Sequence, residues 1–222
     1  MPTAGKKKPQ RVRAPRAKAG AAPGTARRGR PARVDRVFLL DAAEQAIRDS
    51  GAEVSLERIA ATAGVTKPVL FAHVGDRRAL VFALSERLLA RMEAASQAAS
   101  AHAPPGRAAL VASFQATFEA IVAERHVYAF VNGAGAGDTT LATTLEFARR
   151  SAAPIIAGTA AVRAAAGEDP APAEAWGYAI VGMLHMVGIW WLNDPAARLD
   201  AARLAEQLTE LLWNGLAPRS NP

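Results

Sequence analysis

At 222 residues, half of them hydrophobic, the chain is long enough to bury one large core or two small ones. Its formal net charge of +7 is unevenly placed: residues 1–33 hold eleven Lys or Arg and no Asp or Glu, so residues 34–222 sum to −4. With no cysteine, a disulfide framework and thiolate chemistry are excluded, and the composition is compatible with a cytoplasmic location.

Residues 1–32 consist largely of Ala, Pro, Gly, Lys and Arg without apolar periodicity, the composition of a basic arm that is disordered when free. The arm lacks the apolar stretch of a secretory signal and the amphipathic face of a transit peptide. It closes on Arg28-Gly29-Arg30-Pro31.

From Val34 the pattern turns helical. Val37, Leu40, Ala43, Glu44 and Ile47 recur at three- and four-residue spacing before Gly51 stops the run. Ser55 is placed to cap a short helix through Leu56, Ile59 and Ala60 to Thr62. Ala63-Gly64-Val65 makes a tight turn, with Gly64 able to take a positive φ. Thr66 caps the next helix, with Lys67 and Pro68 in its first turn and its end near Val74-Gly75. Asp76 then caps a longer helix from Arg77 to Met92, with Leu80, Leu84, Leu88 and Met92 on one side.

After a loop at 103–106, Leu110, Phe114, Phe118, Ile121 and Val122 form an apolar stripe. Residues 132–138 read as a flexible break. Leu141, Leu145 and Phe147 mark another helix, and Pro154 opens or kinks the one after it. Ala175–Leu192 is uncharged and has the length of a membrane span. It also carries three glycines and His185, and Glu174 and Asp194 flank it without a basic bias. The helix over 172–192 therefore reads as a core or dimer helix packed on most sides. A final amphipathic helix over 197–214 carries Leu204, Leu208, Leu211 and Leu212, and Gly215 and Pro218 end it. No run alternates long enough for a sheet, so the fold class is all-α.

Two short helices joined by a glycine turn, behind a first helix and ahead of a fourth, make a helix-turn-helix. The run SLERIAATAGVTKPVLFAHVGDRRAL, residues 55–80, resembles the DNA-binding domain of the TetR family of transcriptional repressors. The positions that carry the likeness are Ile59, Ala60, Ala63, Gly64, Val65, Thr66, Leu70, Phe71, His73, Val74, Asp76, Arg77 and Leu80. The likeness is strong over 34–82. It implies an N-terminal three-helix helix-turn-helix domain (33–82) behind the arm, and a larger C-terminal helical ligand-binding and dimerisation domain (83–217).

In such a domain the second short helix enters the major groove by its N-terminal residues. Thr66 offers a hydroxyl there, Lys67 a cation, Pro68 a helix start, and Val69 an apolar surface for a thymine methyl. His73 and Arg77 correspond to positions that hold the DNA backbone in the resembled family. Phe71 stands where that family commonly has a tyrosine whose hydroxyl meets a phosphate, so its role is packing or a weakened contact. Glu57 suits a solvent or capping role, with a cytosine amine as the other possible partner. The Arg-Gly-Arg-Pro run resembles an AT-hook core, which makes Arg28, Arg30 and Arg33 candidate minor-groove or phosphate ligands. Lys6, Lys7, Lys8 and Arg11 supply unspecific, salt-dependent attraction.

The resemblance further implies a sensor pocket among the middle helices and a homodimer through the last two. Phe114, Phe118, Phe130, Phe147, Trp176, Met183 and His185 are candidate pocket walls, with Tyr128 and His126 as polar anchors. Each taken singly reads as core packing; taken together they suit a hydrophobic or aromatic effector. The partners expected are a double-stranded DNA operator, a small-molecule effector and a second copy of the chain, with no membrane. An enzyme is disfavoured: Gly133–Gly137 lacks the Gly-Lys-Ser/Thr of a phosphate loop, and the four histidines are dispersed. No catalytic residue, metal ligand or cofactor is assigned. The rival within DNA binding is an architectural protein that uses the basic arm with little sequence preference.

Overall fold

The computed structural model describes residues 34–133, 141–194 and 199–214, the side chains of 141–144 excepted. The chain divides into units 1–33 and 34–222; the arm, with Arg28, Arg30 and Arg33, lies outside the described residues, as does most of the expected break at 132–138. Among the described residues there are nine helices and no strand: α1 (Arg36–Ser50), α2 (Leu56–Thr62), α3 (Lys67–Val74), α4 (Arg77–His102), α5 (Arg107–Ala123), α6 (Arg125–Asn132), α7 (Leu141–Ala165), α8 (Pro172–Asn193) and α9 (Ala201–Asn214).

The starts of the first helices follow the capping chemistry. Asp35 accepts from the Phe38 N–H at 2.9 Å, Ser55 from Arg58 at 3.2 Å and Asp76 from Ala79 at 2.8 Å, each satisfying a donor that has no partner inside its helix. Gly64 turns the chain between α2 and α3 at φ 67°, where a side chain would be strained. Leu39, Ile47, Ile59, Leu70 and Leu80 meet in one fully buried knot that locks α1 to α4 together. The apolar face of α1 begins at Leu39; Val37, expected on it, is 62% exposed.

α4 continues to His102 instead of ending at Met92. Its last part is rich in Ala, Ser and Gln and lacks an apolar stripe, but alanine holds a helix by propensity alone. The stop comes at Ala103, where Pro104 disfavours helical backbone in the residue before it. α4 lies along α5, α5 against α9, and α7 against α8.

Three further expectations are corrected. A separate helix α6 follows a break at Glu124 (φ −107°, ψ 26°), and Val127, Tyr128 and Phe130 bury its inner face. Pro154 does not open a new helix: α7 runs through it. Close packing offsets the lost hydrogen bond, because Ala152 is fully buried and a Cβ at Gly177 of α8 would fall 2.3 Å from Ile156 Cγ1. Finally, α8 is not packed on most sides within the chain. Only Ala173, Gly177 and Gly188 are buried on it, while Trp176, Tyr178, Met186 and Trp190 are exposed.

Candidate nucleic-acid interface and effector cluster

Leu70 and Val74 seat α3 on the core, which turns Thr66, Pro68, Val69, Ala72 and His73 to solvent. The Thr66 side chain makes no capping bond to α3. Lys67 Nζ donates to Glu57 Oε1 of α2 at 2.7 Å and stands 5.6 Å from the centre of the Phe71 ring. The Lys67 hydrogen bond, followed by Glu57's own backbone N–H, holds the Glu57 carboxyl below its ordinary pKa. Glu57 is thus the ion-pair partner of Lys67, a role that spacing along the sequence does not reveal. Phe71 is half-buried against the core. His73 donates through Nδ1 to the Val69 carbonyl at 2.9 Å, which orients Nε2 as the other ring nitrogen. Arg77, at the start of α4, lies over the Phe130 ring of α6 at 5.5 Å.

A charge network missed in the sequence ties this head to the rest of the molecule. Glu44 of α1, only 4% exposed, accepts from Arg48 Nη2 at 3.1 Å and from Arg91 Nη1 of α4 at 3.0 Å. Arg48 also donates to Glu124, at the α5–α6 corner, at 3.0 and 2.8 Å. Arg87 of α4 bonds Asp41 and comes within 3.7 Å of Glu44. The one signal in the sequence was Glu44 on an otherwise apolar stripe.

The expected effector residues divide into three groups. Tyr128, Phe147 and His185 come together: the Tyr128 hydroxyl donates to the His185 carbonyl at 3.2 Å, and the Phe147 and His185 rings lie 6.4 Å apart. Phe118 meets Trp191 edge-on at 5.6 Å, and Met183 packs partly buried against the same core. Burial pushes the Tyr128 phenol up to about 12 and the His185 imidazole below its ordinary value. Phe114, Phe118 and Phe130 are core residues, buried to 3%, 0% and 0% exposure.

Trp176 and His126 stand elsewhere. Trp176 lies under the Arg163 guanidinium of α7 at 4.7 Å. His126 donates through Nδ1 to the Arg48 carbonyl at 2.9 Å and accepts from Arg125 through Nε2 at 3.3 Å, so it braces α6 on α1. It borders a shallow cleft of about 230 Å³ lined by Arg48 and residues 122–126. The spread of these residues reflects helix register: Trp176 and His185 are nine positions apart on α8, two and a half turns at about 3.6 residues per turn, so they face opposite sides.

An all-α chain with a helix-turn-helix whose second helix leaves Thr66, Val69 and His73 open to solvent has the architecture of the DNA-binding regulators. Residues 39–84 match the family described as bacterial regulatory proteins, tetR family, and residues 96–221 match the tetracyclin repressor-like C-terminal domain. The chain belongs to the TetR family. It is 28% identical over 181 residues to the uncharacterized HTH-type transcriptional regulator Rv0472c of Mycobacterium tuberculosis, covering 80% of this chain and 75% of that one. Its fold is similar to the transcriptional regulator FadR of Bacillus subtilis in complex with stearoyl-CoA (TM-score 0.60, 16% identity, 82% of this chain and 99% of that one). It is also similar to AibR in complex with isovaleryl coenzyme A and operator DNA (TM-score 0.53, 18% identity, 78% and 95%). The chain is a DNA-binding transcriptional regulator, and the architectural alternative is not favoured.

Proposed function

We propose that the protein is a cytoplasmic, homodimeric repressor that reads its operator through α3 and leaves it when a hydrophobic or aromatic effector binds the body; it acts by binding, with no catalysis. The observation that carries the reading is the division of α3, with Leu70 and Val74 anchored inward and Thr66, Lys67, Pro68, Val69 and His73 along the outer side and leading end. Phe71 and Arg77 flank this surface, and Arg28, Arg30 and Arg33 of the arm add minor-groove or phosphate contacts. Domains of 33–82 and 83–217 divide the labour, with α4 continuous between them.

An apolar effector is supported by the group of Tyr128, Phe147 and His185, with Met183 partly buried on the same helix as His185, and by the acyl-CoA ligands of FadR and AibR. Entry of such a ligand breaks the Tyr128–His185 contact and separates α6 from α8. The ligand-bound dimer is then favoured by its differential affinity, with recognition helices too far apart for adjacent major grooves about 34 Å apart. Dimerisation through α8 and α9 covers the exposed Trp190, Leu211 and Trp213.

The test is fluorescence anisotropy against duplex from the gene's own upstream region and a scrambled duplex, at low and physiological salt. The full chain and a chain starting at Arg33 are compared. Preference for the upstream duplex that survives removal of the arm supports reading by α3. Preference that vanishes with the arm, or never appears, sinks it. Lys67→Ala and Arg77→Ala are expected to weaken binding while leaving the dimer intact.

A further inference from the structure

Glu57 is the sole carboxylate among residues 55–75, and Lys67 the sole Lys or Arg in α3. These two charges, ten residues apart on different helices, meet at 2.7 Å at the leading end of the recognition helix. Both side chains are well exposed, Glu57 at 65% and Lys67 at 40%. The Phe71 ring stands 5.6 Å from the ammonium and restrains it from one side. The end of the helix that enters the groove therefore presents an acceptor beside a donor. A free lysine would swing to whichever phosphate lies nearest; this one is biased toward a partner that itself seeks a donor.

We propose that Glu57 and Lys67 act as one unit that selects a G·C base pair in each operator half-site. The inference rests on the reading that α3 lies in the major groove. Guanine presents two adjacent acceptors, N7 and O6, to an ammonium, and its partner cytosine presents the N4 amine to a carboxylate. An A·T pair offers lysine no base with two acceptors and sets a thymine methyl beside the second. A carboxylate at this place also repels phosphates, so on DNA lacking the correct pair Lys67 stays with Glu57 and adds little backbone affinity. The pair thus rejects wrong sequences as well as accepting the right one.

The experiment is selection from a randomised duplex library by the full-length wild type, Glu57→Ala and Glu57→Gln, followed by sequencing. Salt titrations on the selected duplexes complete it, and thermal melts confirm that each variant folds. The wild type is expected to fix a G·C pair in each half-site, preferring it to A·T by about 5- to 150-fold. Glu57→Ala removes the choice at that one position and leaves the others. It also frees Lys67 for a phosphate, steepening the log–log salt slope by about 0.9 per recognition helix. Glu57→Gln shifts the same position toward A·T, because a carboxamide pairs with adenine N6 and N7. Retention of the same G·C pair by both variants, with an unchanged salt slope, overturns the inference while leaving α3 as the reading element. A wild type that selects no motif overturns the underlying reading, and this inference with it.

Discussion

The half-buried Phe71 ring sits beside Lys67 where TetR-like sequences commonly carry tyrosine. Phe71→Tyr is expected to tighten operator binding about 2- to 12-fold, the worth of one added hydrogen bond; unchanged anisotropy titrations would mean the ring only packs. Tyr128 and His185 give a pH signature. His185 has its pKa lowered by burial, so its contribution to stability is complete above the unfolded value of roughly 6.5 and is lost as pH falls. Tyr128, raised to about 12, loses its contribution from roughly pH 10 upward, where the unfolded phenol ionises. Melting temperature should drop on both sides of neutrality, and His185→Asn should flatten the acid limb alone. At this scale the sequence showed which residues make α3 and which point inward, because Leu70 and Val74 follow the helical period. It did not show that Glu57 holds Lys67 or that His126 braces α1, since both contacts join residues on separate helices.

Among the elements, α1, α4 and the α5–α6 corner are joined by charge as well as by apolar packing. Glu44→Gln keeps the volume but leaves Arg48 and Arg91 short of an anion. It is expected to destabilise the fold by about 2–3 kcal/mol, below the usual 3–5 for a broken buried pair because the arginines are partly hydrated. Urea denaturation checks this, and a loss under about 0.5 kcal/mol would place the pair with ordinary surface bridges. Helix starts were legible wherever a Ser or Asp cap stood before an apolar run, as at Ser55 and Asp76, and α3 starts after Thr66 as expected although that side chain makes no capping bond. The extension of α4, the passage of α7 through Pro154 and the separate α6 were not legible. Each depends on alanine propensity or on tertiary packing that overrides a local breaker.

At the level of the whole molecule, α8 leaves an apolar face uncovered, with Trp190 and Met186 exposed, Gly182 open to solvent and nothing within 4 Å of where its Cβ would stand. A proposed dimer through this face turns that opening into a tolerance limit. Gly182→Leu should strengthen α8 as an isolated helix by roughly 1 kcal/mol, since glycine is the poorer helix former, yet push sedimentation from dimer toward monomer. An unchanged dimer would move the interface off this face. All-α architecture and the helix-turn-helix were readable from spacing and caps. The apolar length of α8 was readable too, but periodicity gives no account of where a uniformly apolar helix meets its own chain and where it waits for another.

One placement has an optical consequence. All four tryptophans of the chain, Trp176, Trp190, Trp191 and Trp213, lie in α8 and α9. Trp191 is fastened by a 2.8 Å bond from Nε1 to the Leu199 carbonyl, whereas Trp213 is 54% exposed. Intrinsic emission is therefore a label that the molecule carries on its proposed assembly and effector side alone. The head that meets DNA holds no tryptophan and is dark at those wavelengths. Dilution into monomer should red-shift the spectrum and an apolar effector should quench or sharpen it, while short operator duplex should leave it nearly unmoved unless the two ends communicate.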